Sequence, residues 1–119
     1  MIKKSTYLVP ADRCGVWWVS VFHLYHGFSR KTAKCGEFVK VSVKRTRPNN
    51  WLKVKSKVKG FILRTKKEIT KIDGTYIKFF VNNVVLLKKR LTPRGKELFG
   101  PIPSTIKRKK FKTSFPGII

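Results

Sequence analysis

Lys53, Lys55, Lys57 and Lys59 alternate with Val54, Ser56 and Val58. In an extended chain this period places four ammonium groups in one row about 7 Å apart, a spacing suited to successive phosphates of a polynucleotide. The row belongs to a longer basic stretch. Between Glu37 and Glu68 stand eleven bases, Lys40, Lys44, Arg45, Arg47, Lys53, Lys55, Lys57, Lys59, Arg64, Lys66 and Lys67, and no acid. Fixed cations in rows neutralise phosphates whatever the base sequence, and such binding weakens steeply with salt.

Other chemistries find less support. Metal-dependent nuclease or phosphotransfer sites need clustered carboxylates, whereas Asp12, Glu37, Glu68, Asp73 and Glu97 are scattered. There is no Walker loop, no G-x-S-x-G elbow and no H-E-x-x-H, so the chain reads as a non-enzyme. Cys14, His23, His26 and Cys35 could supply a mixed zinc set, but a three-residue step along a strand turns the two histidines to opposite faces. Packing or RNA contact is the preferred role for them, and no metal or cofactor is expected. Trp17 and Trp18 are neighbours on an expected strand, so one should point inward and the other outward. The outward ring is available to a base, a neighbouring protein or the chain's own C-terminal loops. The run Lys107 to Lys110 with Lys112 is what so basic a composition produces by itself.

The whole chain carries 29 Lys and Arg against 5 Asp and Glu, a net charge of +24 on 119 residues. Such a body repels itself unless a polyanion surrounds it. At 41% hydrophobic and 13% aromatic residues it has the material for a core, and its length is that of one domain, residues 1–119. No apolar run is long enough for a spanning helix, and two cysteines are too few for a disulfide scaffold. Short β-branched and aromatic runs punctuated by Gly, Pro and Asn predict an all-β fold. Expected strands are Thr6 to Val9, Val16 to Tyr25, Phe38 to Lys44, the Lys53 to Lys59 row leading into Phe61-Ile62-Leu63, Tyr76 to Val81 and Val84 to Leu87. Arg47 to Asn50 and Asp73-Gly74 are expected turns, and Asn82-Asn83 lies between the last two strands. Strands of this number and length close most economically into a small barrel, over about 1–92. After Pro93, glycines and prolines predict loops wrapping the barrel over about 93–119, with one or two helical turns near Ser104 to Lys110.

One constellation is more specific. Gly60-Phe61-Ile62-Leu63, nine residues, Asp73-Gly74, four residues, Phe79, two residues, Asn82, two residues and Val85-Leu86 resembles the signature of the universal large-subunit ribosomal protein fourteen family. Met1-Ile2 with Ser5-Thr6, Ala11-Asp12 and Gly15 is similar to that family's opening. Gly27, Ser29-Arg30-Lys31, Ala33 and Gly36-Glu37 resemble its second block, and Arg64 to Glu68 and Phe99-Gly100-Pro101-Ile102 follow in order. The resemblance is collinear over essentially the whole chain. It implies a five-stranded closed barrel with a projecting β-ribbon and C-terminal loops and short helices. It also implies a structural, non-catalytic role: binding large-subunit ribosomal RNA, meeting neighbouring ribosomal proteins, and touching small-subunit RNA at an intersubunit bridge. Carried over by position, the RNA-facing residues are Ser29, Arg30, Lys31, Lys44 on the ribbon, Arg64, Lys66 and Lys67. Arg45, Arg47, Lys53, Lys55, Lys57 and Lys59 join them from the basic rows, and Lys96, Glu97, Lys112 and Thr113 make up the implied partner surface.

The departures are specific too. Arg13-Cys14 stands where the family has Asn-Ser, and Trp17 and Trp18 stand where it is commonly polar. Gly95-Lys96-Glu97 replaces Gly-Thr-Arg, a charge reversal on the surface that in relatives meets the small subunit and a ribosome-silencing factor. Ser114-Phe115-Pro116-Gly117-Ile118 replaces Leu-Ala-Pro-Glu-Val. Lys outnumbers Arg 21 to 8 and only two alanines occur, as an A/T-rich coding genome would produce. With no presequence ahead of Met1, this favours synthesis inside a mitochondrion, with a plastid or an A/T-rich bacterium as the alternative. The competing functional readings are a free RNA-binding regulator or chaperone, and a metal-dependent enzyme using the Cys and His residues.

Overall fold

The computed structural model describes residues 2–25, 27, 31–89, 92–95, 98–104, 106 and 117–118. Among the described residues nine strands follow one another: β1 (Tyr7–Pro10), β2 (Val16–Leu24), β3 (Phe38–Thr46), β4 (Lys57–Arg64), β5 (Ile69–Thr70), β6 (Tyr76–Ile77), β7 (Asn83–Leu86), β8 (Pro101–Ile102) and β9 (Gly117–Ile118). The strands β1-β2-β3-β4-β7 form a closed barrel, as the strand count predicts. All its ladders are antiparallel except the closing one, where β1 runs parallel to β7 with Val9 opposite Asn83.

Period-2 patterning explains why the barrel closes. Along β3, Val39, Val41 and Val43 are fully buried, whereas Lys40 and Ser42 stay on the other face. Val19 and Val21 of β2, Val58 and Ile62 of β4, and Val84 and Leu86 of β7 fill the same interior, with Leu8 and Ile2. A five-stranded barrel is narrow, which suits compact β-branched side chains. At Gly60 even one methyl is too much: a Cβ there would stand 2.7 Å from Val84 Cγ2.

A second core lies outside the barrel wall. Phe61 and Leu63 of β4 and Val85 and Leu87 at β7 point away from the interior and are covered by Ala11, Ile102 and Ile106. All four residues of β7 are therefore buried, with Ile102 and Ile106 of the C-terminal segment packed on the outside of the wall. β8 pairs in parallel with β9.

Four sequence expectations are corrected. Lys53 to Lys59 is not one strand, because β4 begins at Lys57 and Lys55 takes a left-handed backbone, φ 72°. The Lys55 N–H bonds the Val43 carbonyl at 2.8 Å, while the Val43 N–H bonds the Ser56 carbonyl at 2.9 Å. Two residues thus oppose one in a G1-type bulge closing the turn, and the four-lysine row is broken. Trp17 and Trp18 do not take opposite faces. The β2–β3 register shifts on either side of Trp18, so Val16 and Val19 are both buried and both indoles are exposed. Tyr76 to Val81 is strand only at Tyr76–Ile77, which pairs with β5 as a two-stranded ribbon turning at Asp73-Gly74. This ribbon is the one whose tip, Ile72 to Tyr76, is exposed; Lys44 sits on barrel strand β3 instead. The helical turns expected near Ser104 to Lys110 fall largely outside the described residues, at 105 and 107–110; Ser104 lies in a turn and the Ile106 N–H bonds the Pro103 carbonyl at 3.3 Å.

Candidate nucleic-acid interface

The outer face of β2, β3 and β4 gathers the cations that the sequence separates. His23 of β2 pairs with Lys40 of β3, which pairs with Lys59 of β4, and one step along the barrel Ser20, Ser42 and Lys57 form the next row. Partners in neighbouring strands stand about 4.8 Å apart, so Lys40 and Lys59 meet as like charges on one surface. Such a pair is unfavourable by itself and becomes favourable under a shared anion. Lys44 and Arg45 extend the same side of β3 and are exposed. None of the three strands contains an acid.

Aromatic rings lie against three of these cations, Arg45, Lys57 and Lys59. The Arg45 guanidinium lies 5.0 Å from the Trp17 ring centroid and 5.5 Å from that of Trp18. Lys57 Nζ is 5.7 Å from Phe22, and Lys59 Nζ is 5.0 Å from Tyr25 and 4.6 Å from Phe38. His23 meets Tyr25 edge to face at 5.1 Å. Cation–π contacts of this length fix a side chain's position without neutralising its charge, which stays available to an anion. The bulges in β2 build this arrangement: besides Trp17-Trp18, the shift between Val21 and His23 turns both Phe22 and His23 outward. A period-2 reading of sequence cannot find such pairs, because each bulge is defined by the partner strand's register.

The remaining expected residues separate by position. Lys31, Arg47, Lys53 and Lys55 are exposed in loops, and Lys66 and Lys67 are exposed just after β4. The backbone around Lys66 is pinned by its N–H to Asn82 Oδ1 at 2.9 Å. Ser29, Arg30, Lys96, Glu97, Lys112 and Thr113 lie outside the described residues. Arg64 is turned inward rather than toward solvent. Its Nε donates to Asn83 Oδ1 at 2.9 Å, and Nη1 donates to the carbonyls of Phe99 at 2.9 Å and Pro101 at 3.1 Å. Asn83 in turn donates to the Val9 carbonyl at 3.0 Å, so one guanidinium joins β4, β7, β1 and the C-terminal wrap. Gly100, φ 75°, is the residue over which it passes; a Cβ there would overlap the guanidinium.

The groups considered for metal chemistry have other surroundings. Asp12 is buried, accepts the Gly95 N–H at 3.0 Å through Oδ2, and leaves Oδ1 without a hydrogen bond. Burial pushes its carboxyl above the usual range. Burial, then the neighbouring Asp12 charge, pushes the Cys14 thiol up to about 12, and burial also raises Cys35, which contacts Thr65 Oγ1 at 3.7 Å. Thiols held protonated in this way are poor ligands and nucleophiles. Among the described residues no three His, Cys, Asp or Glu side chains gather as a metal site.

Comparison with known proteins identifies relatives of the whole chain. The family model described as Ribosomal protein L14p/L23e matches residues 1–115. The large ribosomal subunit protein uL14m of Tetrahymena pyriformis is 59% identical over 119 residues, which is 100% of both chains.

Proposed function

Because this chain belongs to the ribosomal protein L14p/L23e family and is thereby a structural constituent of the large ribosomal subunit, we propose that it works by clamping large-subunit RNA against the outer face of β2–β4. The observation that carries this reading is the convergence of Lys40, Lys44, Arg45, Lys57 and Lys59 on one acid-free side of three strands. Their contacts are to phosphate, so the fold of the RNA supplies the specificity. Lys31, Arg47, Lys53, Lys55, Lys66 and Lys67 add exposed cations outside the three strands or at their ends, and Ser29 and Arg30 are assigned to the same RNA through the second-block resemblance alone.

The family is of a structural, non-enzymatic kind, and we assign this chain no catalysis. Residues 1–119 act as one unit. The mitochondrial ribosome is where it works: the 59% identical relative carries the mitochondrial suffix in its name, and the excess of Lys over Arg fits an A/T-rich coding genome. The surface of Lys96, Glu97, Lys112 and Thr113 is the part we assign to the small-subunit bridge and to a silencing factor. Sucrose-gradient fractionation of mitochondrial lysate tests the assignment. The protein should sediment with large subunits and intact ribosomes; a pool mainly at the top of the gradient would favour a free RNA-binding regulator.

A further inference from the structure

The barrel displays large aromatic rings where a soluble surface ordinarily has few. Trp17 is 44% exposed, Trp18 37% and Phe22 38%, with Val9 and Tyr7 of the adjoining strand β1 exposed at 46% and 64%. A contiguous apolar patch rimmed by charge marks an interaction surface. Here the rim is cationic, and β2–β4 hold no acid. Both indoles face outward because the register shifts around Trp18, and bulges are built features that re-aim side chains.

We propose that Trp17 and Trp18 form a stacking platform for unpaired bases of ribosomal RNA, with Arg45 between them holding the intervening phosphate. The inference rests on the RNA-binding reading above and specifies its mode. A guanidinium held 5.0 and 5.5 Å from two ring centroids keeps its charge and its N–H donors for a phosphate. Indole faces accept any base, and stacking is sequence-tolerant. Lys44, Lys57 and Lys59 continue the cationic track beyond the rings. The occupant is therefore an anion that also carries flat rings, one of each per residue, which describes a single-stranded polynucleotide. A duplex presents phosphates alone and keeps its bases stacked inside.

The test uses the full chain with Trp51→Phe; Trp51 is 97% exposed in a separate loop, so emission then reports Trp17 and Trp18. It is titrated with an unstructured single-stranded RNA and with a duplex of equal phosphate number. The single strand should quench the emission and the duplex should not. In the Trp51→Phe background, Trp17→Leu with Trp18→Leu should weaken single-strand binding about tenfold or more with little change for the duplex, and Trp17→Phe with Trp18→Phe should recover most of it. If the leucine pair fails to fold, the contrast in quenching between the two RNAs decides. Leucine variants that bind the single strand as tightly as their parent would overturn the platform and leave the phosphate face standing. Unchanged RNA binding combined with loss of assembly into large subunits would give the rings to a neighbouring protein instead. A parent chain that binds neither RNA would remove the phosphate face as well.

Discussion

Arg64 shows how far a residue's role can depart from its type. As a base in a basic stretch it reads as an RNA contact, yet its three hydrogen bonds run to Asn83, Phe99 and Pro101. A guanidinium cannot be neutralised at any ordinary pH, so its burial is tolerable only while those acceptors remain. Arg64→Ala should lower stability by about 3 kcal/mol or more, because it strands several buried polar groups together. Thermal melting checks this; a variant with an unchanged Tm and weakened RNA binding would return Arg64 to the RNA surface.

Asp12 gives the residue scale its pH dependence. Its carboxyl holds a proton more tightly folded than unfolded because burial opposes the charge. Between the two values the native state binds more protons, so this group's contribution to stability falls as pH rises. Asp12→Asn keeps an acceptor for the Gly95 N–H and removes the charge. The difference in Tm between Asp12→Asn and its parent should move in the variant's favour from about pH 3 to about pH 7. Movement the other way would mean that an unseen partner stabilises the carboxylate.

At the scale of elements, legibility depended on whether a signal was local. Alternation from Phe38 to Lys44 located β3 and its buried face, because a strand with one wet side writes its period into its own residues. The Asp73-Gly74 turn was equally local, with Asp73 accepting from Thr75 at 2.7 Å and Gly74 at φ 88°. The bulges at Trp17-Trp18 and Lys55 were not legible, since both depend on which residue stands opposite in another strand. Nor was the job of Asn83, which reads as a turn former but is a buried joint between β7 and β1. The motif resemblance supplied the family where periodicity supplied only a barrel.

Lys55 holds a left-handed backbone that a Cβ disfavours by about 1 kcal/mol. Lys55→Gly should therefore stabilise the β3–β4 turn by up to about 1 kcal/mol, read as a rise in Tm; a fall would show that the lysine side chain itself supports the turn. Ile102, fully buried against the outer wall of β4 and β7, anchors the C-terminal wrap. Ile102→Ala should cost about 2–5 kcal/mol in a melt, whereas a loss below about 1 kcal/mol would mean the wrap contributes little to the fold.

For the whole molecule, the net charge of +24 identifies the partner better than it identifies the site. Among the described residues the bases include an inward clamp, loop cations and one face carrying aromatic rings, and a composition biased toward Lys places some where no single one matters. We propose above that the face of β2–β4 takes phosphates. It is tested by the slope of log binding constant against log salt concentration for the full chain on large-subunit RNA, compared with the triple variant Lys40→Gln, Lys57→Gln, Lys59→Gln. Each phosphate contact contributes about 0.7–0.9 to that slope, so the variant should be shallower by about 2–3. An unchanged slope with unchanged affinity would show that the RNA is held elsewhere on the molecule.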